Sequence, residues 1–194
     1  MELFAWDARY DTGERFVDRE HRGLFALINR VAELDAAQAD QTALRTVLDE
    51  LVLYAQTHFH HEEVLMRDAG CDARFIEAHE AVHRNFAAQI DTLLTQAGGQ
   101  LNAEHLLRFL ASWLVFHILG MDQSMARQIN QIRTGVAAAT AYESERAKRP
   151  AQIAGRQPDR LHQRLHRDGI DGAVGEVQQR QQAQIGLAEN RGLL

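Results

Sequence analysis

Apolar residues in the first three quarters of the chain recur at three- and four-residue steps, the period of an amphipathic helix and not the alternation of a strand. Four long helices are predicted. The first spans about residues 18–37, with His21, Leu24, Ile28 and Val31 on one stripe. The second spans about 41–68, its stripe running Leu44, Leu48, Leu51, Ala55, His58, Glu62 and Leu65, with Asp40 placed to cap its start and Gly70 to end it. The third spans about 72–96, with Phe75, His79, Val82, His83, Phe86, Ile90 and Leu93 inward. The fourth starts at an Asn102 cap and carries Leu106, Leu110, Trp113, His117, Met121 and Ile129. Both prolines, Pro150 and Pro158, fall in the last quarter, so no ring interrupts these helices. Short connections between helices of similar length favour antiparallel neighbours, which predicts an all-α, up-down antiparallel four-helix bundle. Residues 1–17 lack the period, and Phe4, Trp6 and Phe16 are expected to pack this N-terminal arm across the bundle.

Charge divides the chain near residue 142. Residues 1–142 hold 12 Lys/Arg and 20 Asp/Glu, net −8, whereas residues 143–194 hold 9 and 7, net +2. The later stretch is rich in Arg and Gln, and Gly155, Gly169, Gly172 and Gly175 interrupt the helical hints from Leu161, Leu165, Ile170, Val174, Val177 and Ile185. The expected organisation is a helical domain at 1–142 followed by an irregular C-terminal extension at 143–194. A net charge of −6 over 194 residues gives no bulk attraction to nucleic acid. No apolar run approaches the length that spans a bilayer, so no membrane insertion is expected. The N-terminus lacks the pattern of a signal peptide, and the single cysteine, Cys71, excludes an internal disulfide; both point to the cytoplasm.

The chemistry lies where the apolar stripes turn polar. His21, His58, His79, His83 and His117 occupy core-facing positions on four helices, with Glu62 and Asp122 in the same stripes. A buried carboxylate costs several kcal/mol unless a proton or cation compensates it. A metal site removes the difficulty for all seven residues together. His58 and Glu62 are four apart, as are His79 and His83, so each pair shares a helix face. His117 and Asp122 are five apart, which in an ideal helix sets them about 140° from each other. A locally widened turn would realign them, and Gly120 lies between them. Seven donors exceed one ion and suit two bridged by carboxylates. Mixed imidazole and carboxylate ligands suit iron, manganese or zinc, and dinuclear sites of this kind in helix bundles are typically di-iron or di-manganese. His60, His61 and His105 are read as surface residues, Glu63 as a solvated carboxylate with support of a neighbouring ligand as the alternative, and Cys71 as a turn residue. His162 and His166 are four apart but have no carboxylate companion for a second site.

The ordered set His21; His58 with Glu62; His79 with His83; and His117 with Asp122 resembles the hemerythrins, most closely the bacterial form. The surrounding residues match as well: Val17-Asp18-Arg19-Glu20-His21, His58-Phe59-His60-His61-Glu62-Glu63 and Trp113-Leu114-Val115-Phe116-His117-Ile118. The likeness covers about residues 3–135. It departs from the family at Glu20, where Gln is usual, and at Gly70-Cys71-Asp72, where an aromatic residue and a proline are commoner. The resemblance implies two non-heme iron ions bridged by Glu62, Asp122 and an oxo or hydroxo group. His79, His83 and His117 would hold one ion; His21 and His58 would hold the other, which keeps an open position. It further implies reversible dioxygen binding, for oxygen transport, storage or delivery, and no enzymatic activity. Trp113, Leu114 and Ile118 match an apolar oxygen pocket. The implied partners are dioxygen and an oxygen-using enzyme. The alternative is an oxygen or redox sensor acting through the C-terminal extension on a signalling partner.

Overall fold

Helix forms wherever the apolar period runs without a break, and each break coincides with a capping residue or a glycine. A computed structural model describes residues 4–96 and 102–154 and contains six α-helices, with no strand among the described residues. They are α1 (Arg15–Ala36), α2 (Gln41–Asp68), α3 (Ala73–Gln96), α4 (Ala103–His117), α5 (Gln123–Arg133) and α6 (Ala138–Ala154). A π turn, Ile118–Asp122, joins α4 to α5, so the predicted fourth helix is one rod with a widened turn inside it. The expected tail features beyond residue 154, His162 and His166 among them, lie outside the described residues.

The caps follow the sequence. Asp40 accepts a hydrogen bond from the Ala43 amide at 2.8 Å, and Asn102 accepts one from the His105 amide at 2.9 Å. Gly70 takes φ +70° after α2, where the amides of Gly70 and Cys71 donate to the carbonyls of Arg67 and Met66. This double bond pattern consumes two of the carbonyls that a helix end leaves unpaired, and it requires the left-handed conformation that glycine adopts at least cost.

One apolar cluster fills the bundle. Val31, Leu48, Leu51, Phe75, Val82, Leu110, Met125 and Ile129 are all essentially inaccessible to solvent. Because neighbouring helices alternate in direction, His21 early in α1, His58 late in α2, His79 early in α3 and His117 late in α4 come to the same end of the bundle. The arm closes over this end. The Phe4 amide donates to Asn29 Oδ1 at 2.9 Å and Asn29 Nδ2 donates to the Phe4 carbonyl at 2.8 Å. Trp6 lies against His21 and Phe25, and Gln123 donates to the Arg9 carbonyl at 2.6 Å. Phe16 departs from the expectation: it is 46% exposed, with its ring edge-on to His61. Its position in the first turn of α1 turns it out from the core.

Helix α6 crosses the boundary expected at residue 142. Tyr142 is buried beside Phe75 with the Arg74 guanidinium over its ring at 4.4 Å. Glu145 is 2% exposed and accepts from Arg127 at 2.6 Å and Lys148 at 2.7 Å. Burial opposes the charge on Glu145, but these two cations hold its carboxyl below the usual range. Replacing Glu145 with Ala strips Arg127 of its buried partner. The variant is expected to lose about 1–3 kcal/mol of stability. Denaturant unfolding measures that loss, and hydrogen exchange in residues 138–148 should accelerate more than in α2.

Candidate metal centre

Four helices deliver the seven predicted residues to one buried point. His21, His58, Glu62, His79, His83, His117 and Asp122 are each no more than 3% exposed. The helix period gives the pairs on α2 and α3 their common face. The π turn does the same for His117 and Asp122: the Gln123 amide bonds to the carbonyl of Ile118, five residues back, and residues at that spacing then stack. Gly120 sits in this turn with open space where a Cβ would be, so the widening does not depend on glycine for room.

The two carboxylates divide their oxygens between two groups of imidazoles. Glu62 Oε1 lies 3.7 Å from His21 Nε2 and 3.5 Å from His58 Nε2. Its Oε2 lies 3.5, 3.3 and 3.8 Å from the Nε2 atoms of His79, His83 and His117. Asp122 Oδ2 is 3.1 Å from His21 Nε2, and its Oδ1 is 3.2 and 3.1 Å from those of His79 and His117. On the three-histidine side, His117 Nε2 is within 3.2 Å of His79 Nε2 and 3.1 Å of His83 Nε2. Both oxygens of Glu62 and of Asp122, and Nε2 of His21 and His58, are buried without a hydrogen bond of acceptable geometry. Atoms that crowd together yet do not bond to one another are arranged around common points. Two sets of donors each close enough to hold one cation result: Glu62, His79, His83 and His117, and His21, His58, Glu62 and Asp122. Imidazole and carboxylate without thiolate fit iron or a similar first-row metal.

Behind the centre, two imidazoles are held by carboxylates. His58 Nδ1 is 3.0 Å from Glu20 Oε2, and His83 Nδ1 is 3.2 Å from Glu63 Oε1. Each contact fixes the ring with its Nδ1–H donating outward and its Nε2 lone pair facing the centre. Nδ1 of His21, His79 and His117 finds no such partner among the described residues. Two polar residues off the ligand face have defined partners. Glu63 is not simply solvated, and His61 is only part exposed: its Nδ1 donates to Glu20 Oε1 at 2.7 Å. His60 and His105 are exposed as expected, and Cys71 is buried, which pushes its thiol up to about 11.

Aromatic and aliphatic groups wall the site. Trp113 stacks on His117 at 4.3 Å and Phe59 on His83 at 4.0 Å. Trp113 and Leu114 line a small apolar cavity with Leu24, Ala55 and Phe59; Phe59 directly follows His58, and the other four stand about one helical turn from His117, His21 or His58. Ile118 is fully buried in the π turn but is not among the residues lining that cavity.

An all-α bundle with a buried histidine–carboxylate centre defines a class of metal-binding helical proteins. Residues 12–129 match the hemerythrin HHE cation-binding domain, and the chain belongs to the hemerythrin family. It is 34% identical over 131 residues to a bacteriohemerythrin of Stenotrophomonas maltophilia, covering 66% of this chain and 83% of the relative. It is 32% identical over 124 residues to a bacteriohemerythrin of Pseudomonas aeruginosa, covering 63% and 78%. A hemerythrin-like protein of Naegleria gruberi is 32% identical over 119 residues, covering 61% and 87%. No solved structure matches the chain. No helix among the described residues is long and apolar enough to cross a membrane.

The charges predict how metal and protons compete. Burial pulls an imidazole down, but Asp122 and Glu62 outweigh it and raise His21 and His79 to about 9 from an ordinary 6.5. Burial would likewise raise the two carboxyls, yet the surrounding imidazoles hold both well below their usual range. In the metal-free protein the stabilisation from His21 and His79 is complete below pH 6.5 and is lost as pH rises through about 9. A metal ion held by these residues would displace those protons and take over their role. The melting temperature of the metal-free protein should therefore fall between pH 6.5 and 9 while that of the metal-loaded protein does not, and metal uptake at neutral pH should release protons to a pH indicator.

Proposed function

We propose that the protein binds dioxygen reversibly at two non-heme iron ions, serving oxygen transport, storage or delivery. The observation that carries this reading is the division of both carboxylates, one oxygen of each toward the two-histidine side and the other toward the three-histidine side. Glu62 and Asp122 would bridge the ions, His79, His83 and His117 would hold one, and His21 and His58 the other. When bound, the iron pair supplies two electrons and a coordination position for dioxygen.

The chain's own residues favour binding over oxidation. Five neutral imidazoles against two carboxylates contrast with the glutamate-rich shells of di-iron oxidases, and fewer anionic donors stabilise higher-valent iron less. Trp113, Leu114 and Phe59 exclude water from the surroundings of the site, which limits the protons that would drive irreversible loss of reduced oxygen. The partners on this reading are dioxygen and, in the cytoplasm, an enzyme that consumes it.

Oxygen or redox sensing is a second reading, favoured by the seating of α6. Tyr142 is 6.5 Å from Phe75, ring to ring, and Phe75 is 5.6 Å from His79. A change at the centre thus meets, within two side chains, the helix that leads into residues 155–194.

Two measurements test the main reading. The protein reduced without air should be nearly colourless, gain a visible charge-transfer band on exposure to dioxygen and lose it under vacuum; irreversible oxidation within mixing time would defeat the carrier role. Leu114→Ala should quicken autoxidation at least several-fold by admitting water. Leu44→Ala, at the opposite end of the bundle, should cost about 2–5 kcal/mol of stability without changing that rate. Loss of iron should be severe in Glu62→Ala and Asp122→Ala and absent in His60→Ala, as elemental analysis would register.

A further inference from the structure

The two sides of the centre are unequally furnished. Three imidazoles face one side and only His21 and His58 face the other. Of these two, His21 has no hydrogen bond at Nδ1 among the described residues, so the contact from His58 Nδ1 to Glu20 Oε2 is the one bond that fixes an imidazole there. Glu20 reaches across from α1 to α2, and a glutamate with one partner is free to rotate its carboxylate about the last side-chain bond. Its second oxygen is taken by His61 Nδ1 at 2.7 Å. His61 stands three residues after His58, so both rings leave α2 on the same face and both present an N–H to the one carboxylate. A carboxylate offers two acceptors and no donor, so both histidines must donate; an amide at position 20 would offer one acceptor only. The His61 ring is itself held edge-on against Phe16 at 5.1 Å, with the Arg19 guanidinium 5.4 Å from the Phe16 ring. The exposed Phe16 thus has a place: it braces a histidine at the surface which braces a carboxylate below it.

We propose that His61 is a positioning residue for the two-histidine half of the centre. By donating to Glu20 it keeps that carboxylate aligned with the Nδ1–H of His58, and so holds the His58 Nε2 lone pair on the metal position that has fewest ligands. Groups that hydrogen-bond a metal-bound histidine directly, as Glu20 would, typically change metal affinity about 10- to 100-fold when removed, and His61, one bond further out, belongs at the lower end of that range. His61 touches no metal position itself. This inference rests on the two-ion reading given above.

The test loads the full-length wild type, His61→Leu, His61→Asn and His60→Leu with ferrous iron in the absence of air, then adds a chromophoric ferrous chelator. The wild type should release both irons slowly. His61→Leu should release one iron per chain at least about tenfold faster and the other at the wild-type rate. His61→Asn should restore slow release, because its amide nitrogen occupies the place of the ring Nδ1 and can donate to Glu20. His60→Leu should behave as the wild type. Thermal unfolding of the metal-free proteins should be alike, which separates a loss of positioning from a loss of fold. The proposal is overturned if His61→Leu releases both irons at the wild-type rate, if it accelerates both equally, or if His61→Asn fails to rescue. A wild type that never holds two irons per chain would instead defeat the two-ion reading.

Discussion

Two carboxylates buried at the heart of an apolar bundle are the constraint that the rest of the structure answers. Glu62 and Asp122 are fully inaccessible to solvent and their oxygens make no hydrogen bonds of acceptable geometry. Left alone, each would cost several kcal/mol, a large part of a domain's net stability. The five imidazoles around them supply the compensation, as protons on His21 and His79 in the metal-free chain, and on the proposed reading they would do so as a coordination shell when metal is bound. Folding and metal binding are therefore one equilibrium read from two sides: what binds the native chain alone stabilises it. The same constraint explains why the residues come from four helices. A single helix face offers two donors at a four-residue step, and enclosing two anions from all sides takes several such faces.

The π turn is where the demands of packing and of chemistry collide. Packing asks the fourth rod to keep Leu110, Trp113, Met121, Met125 and Ile129 in the core on either side of the centre, and all five are buried. Chemistry asks His117 and Asp122 to face the same point. An unbroken 3.6-residue period cannot satisfy both at a five-residue gap. One widened turn at Ile118–Asp122 absorbs the mismatch and leaves α4 and α5 regular. The opening of the backbone at this turn is met by the arm, since Gln123 just beyond it donates to the Arg9 carbonyl.

Residues that answer to their own helix were legible in the sequence. The caps at Asp40 and Asn102, the stop at Gly70, the paired histidines on α3 and the need for a widened turn all follow from spacing within one element. What was not legible depends on how two helices are rotated against each other. Glu20 precedes one core histidine directly, but nothing local says that it reaches across to His58 and His61 on α2. Glu63 beside Glu62 reads as solvated until α3 brings His83 Nδ1 within 3.2 Å. Phe16 reads as core by its type, yet its place in the first turn of α1 turns it to the surface. Helix α6 was hidden for another reason. Its docking rests on Tyr142 and on a half-buried ion pair between Glu145 and Arg127, so composition shifts toward polar residues while the packing continues.

Antiparallel alternation also divides the labour of the bundle along its length. The arm, the π turn, α6 and all seven proposed ligands meet at one end. The other end buries Val31, Leu44, Leu48, Ile90 and Leu106 together in an apolar core, and its ion pairs, such as Arg30 with Glu50, lie at the surface. Stability at that end comes from area removed from water and needs no charge in any particular state. The chemical end can then keep groups that a purely structural core would exclude: five imidazoles, two carboxylates and a cavity beside Leu114. Substitutions at the two ends share no partners, so their effects on stability should add. Changes among the ligands should not, because every imidazole in the centre faces the same two anions. The apolar end thus contributes stability that does not depend on the state of the other end, where the buried carboxylates and imidazoles couple folding to protons and metal.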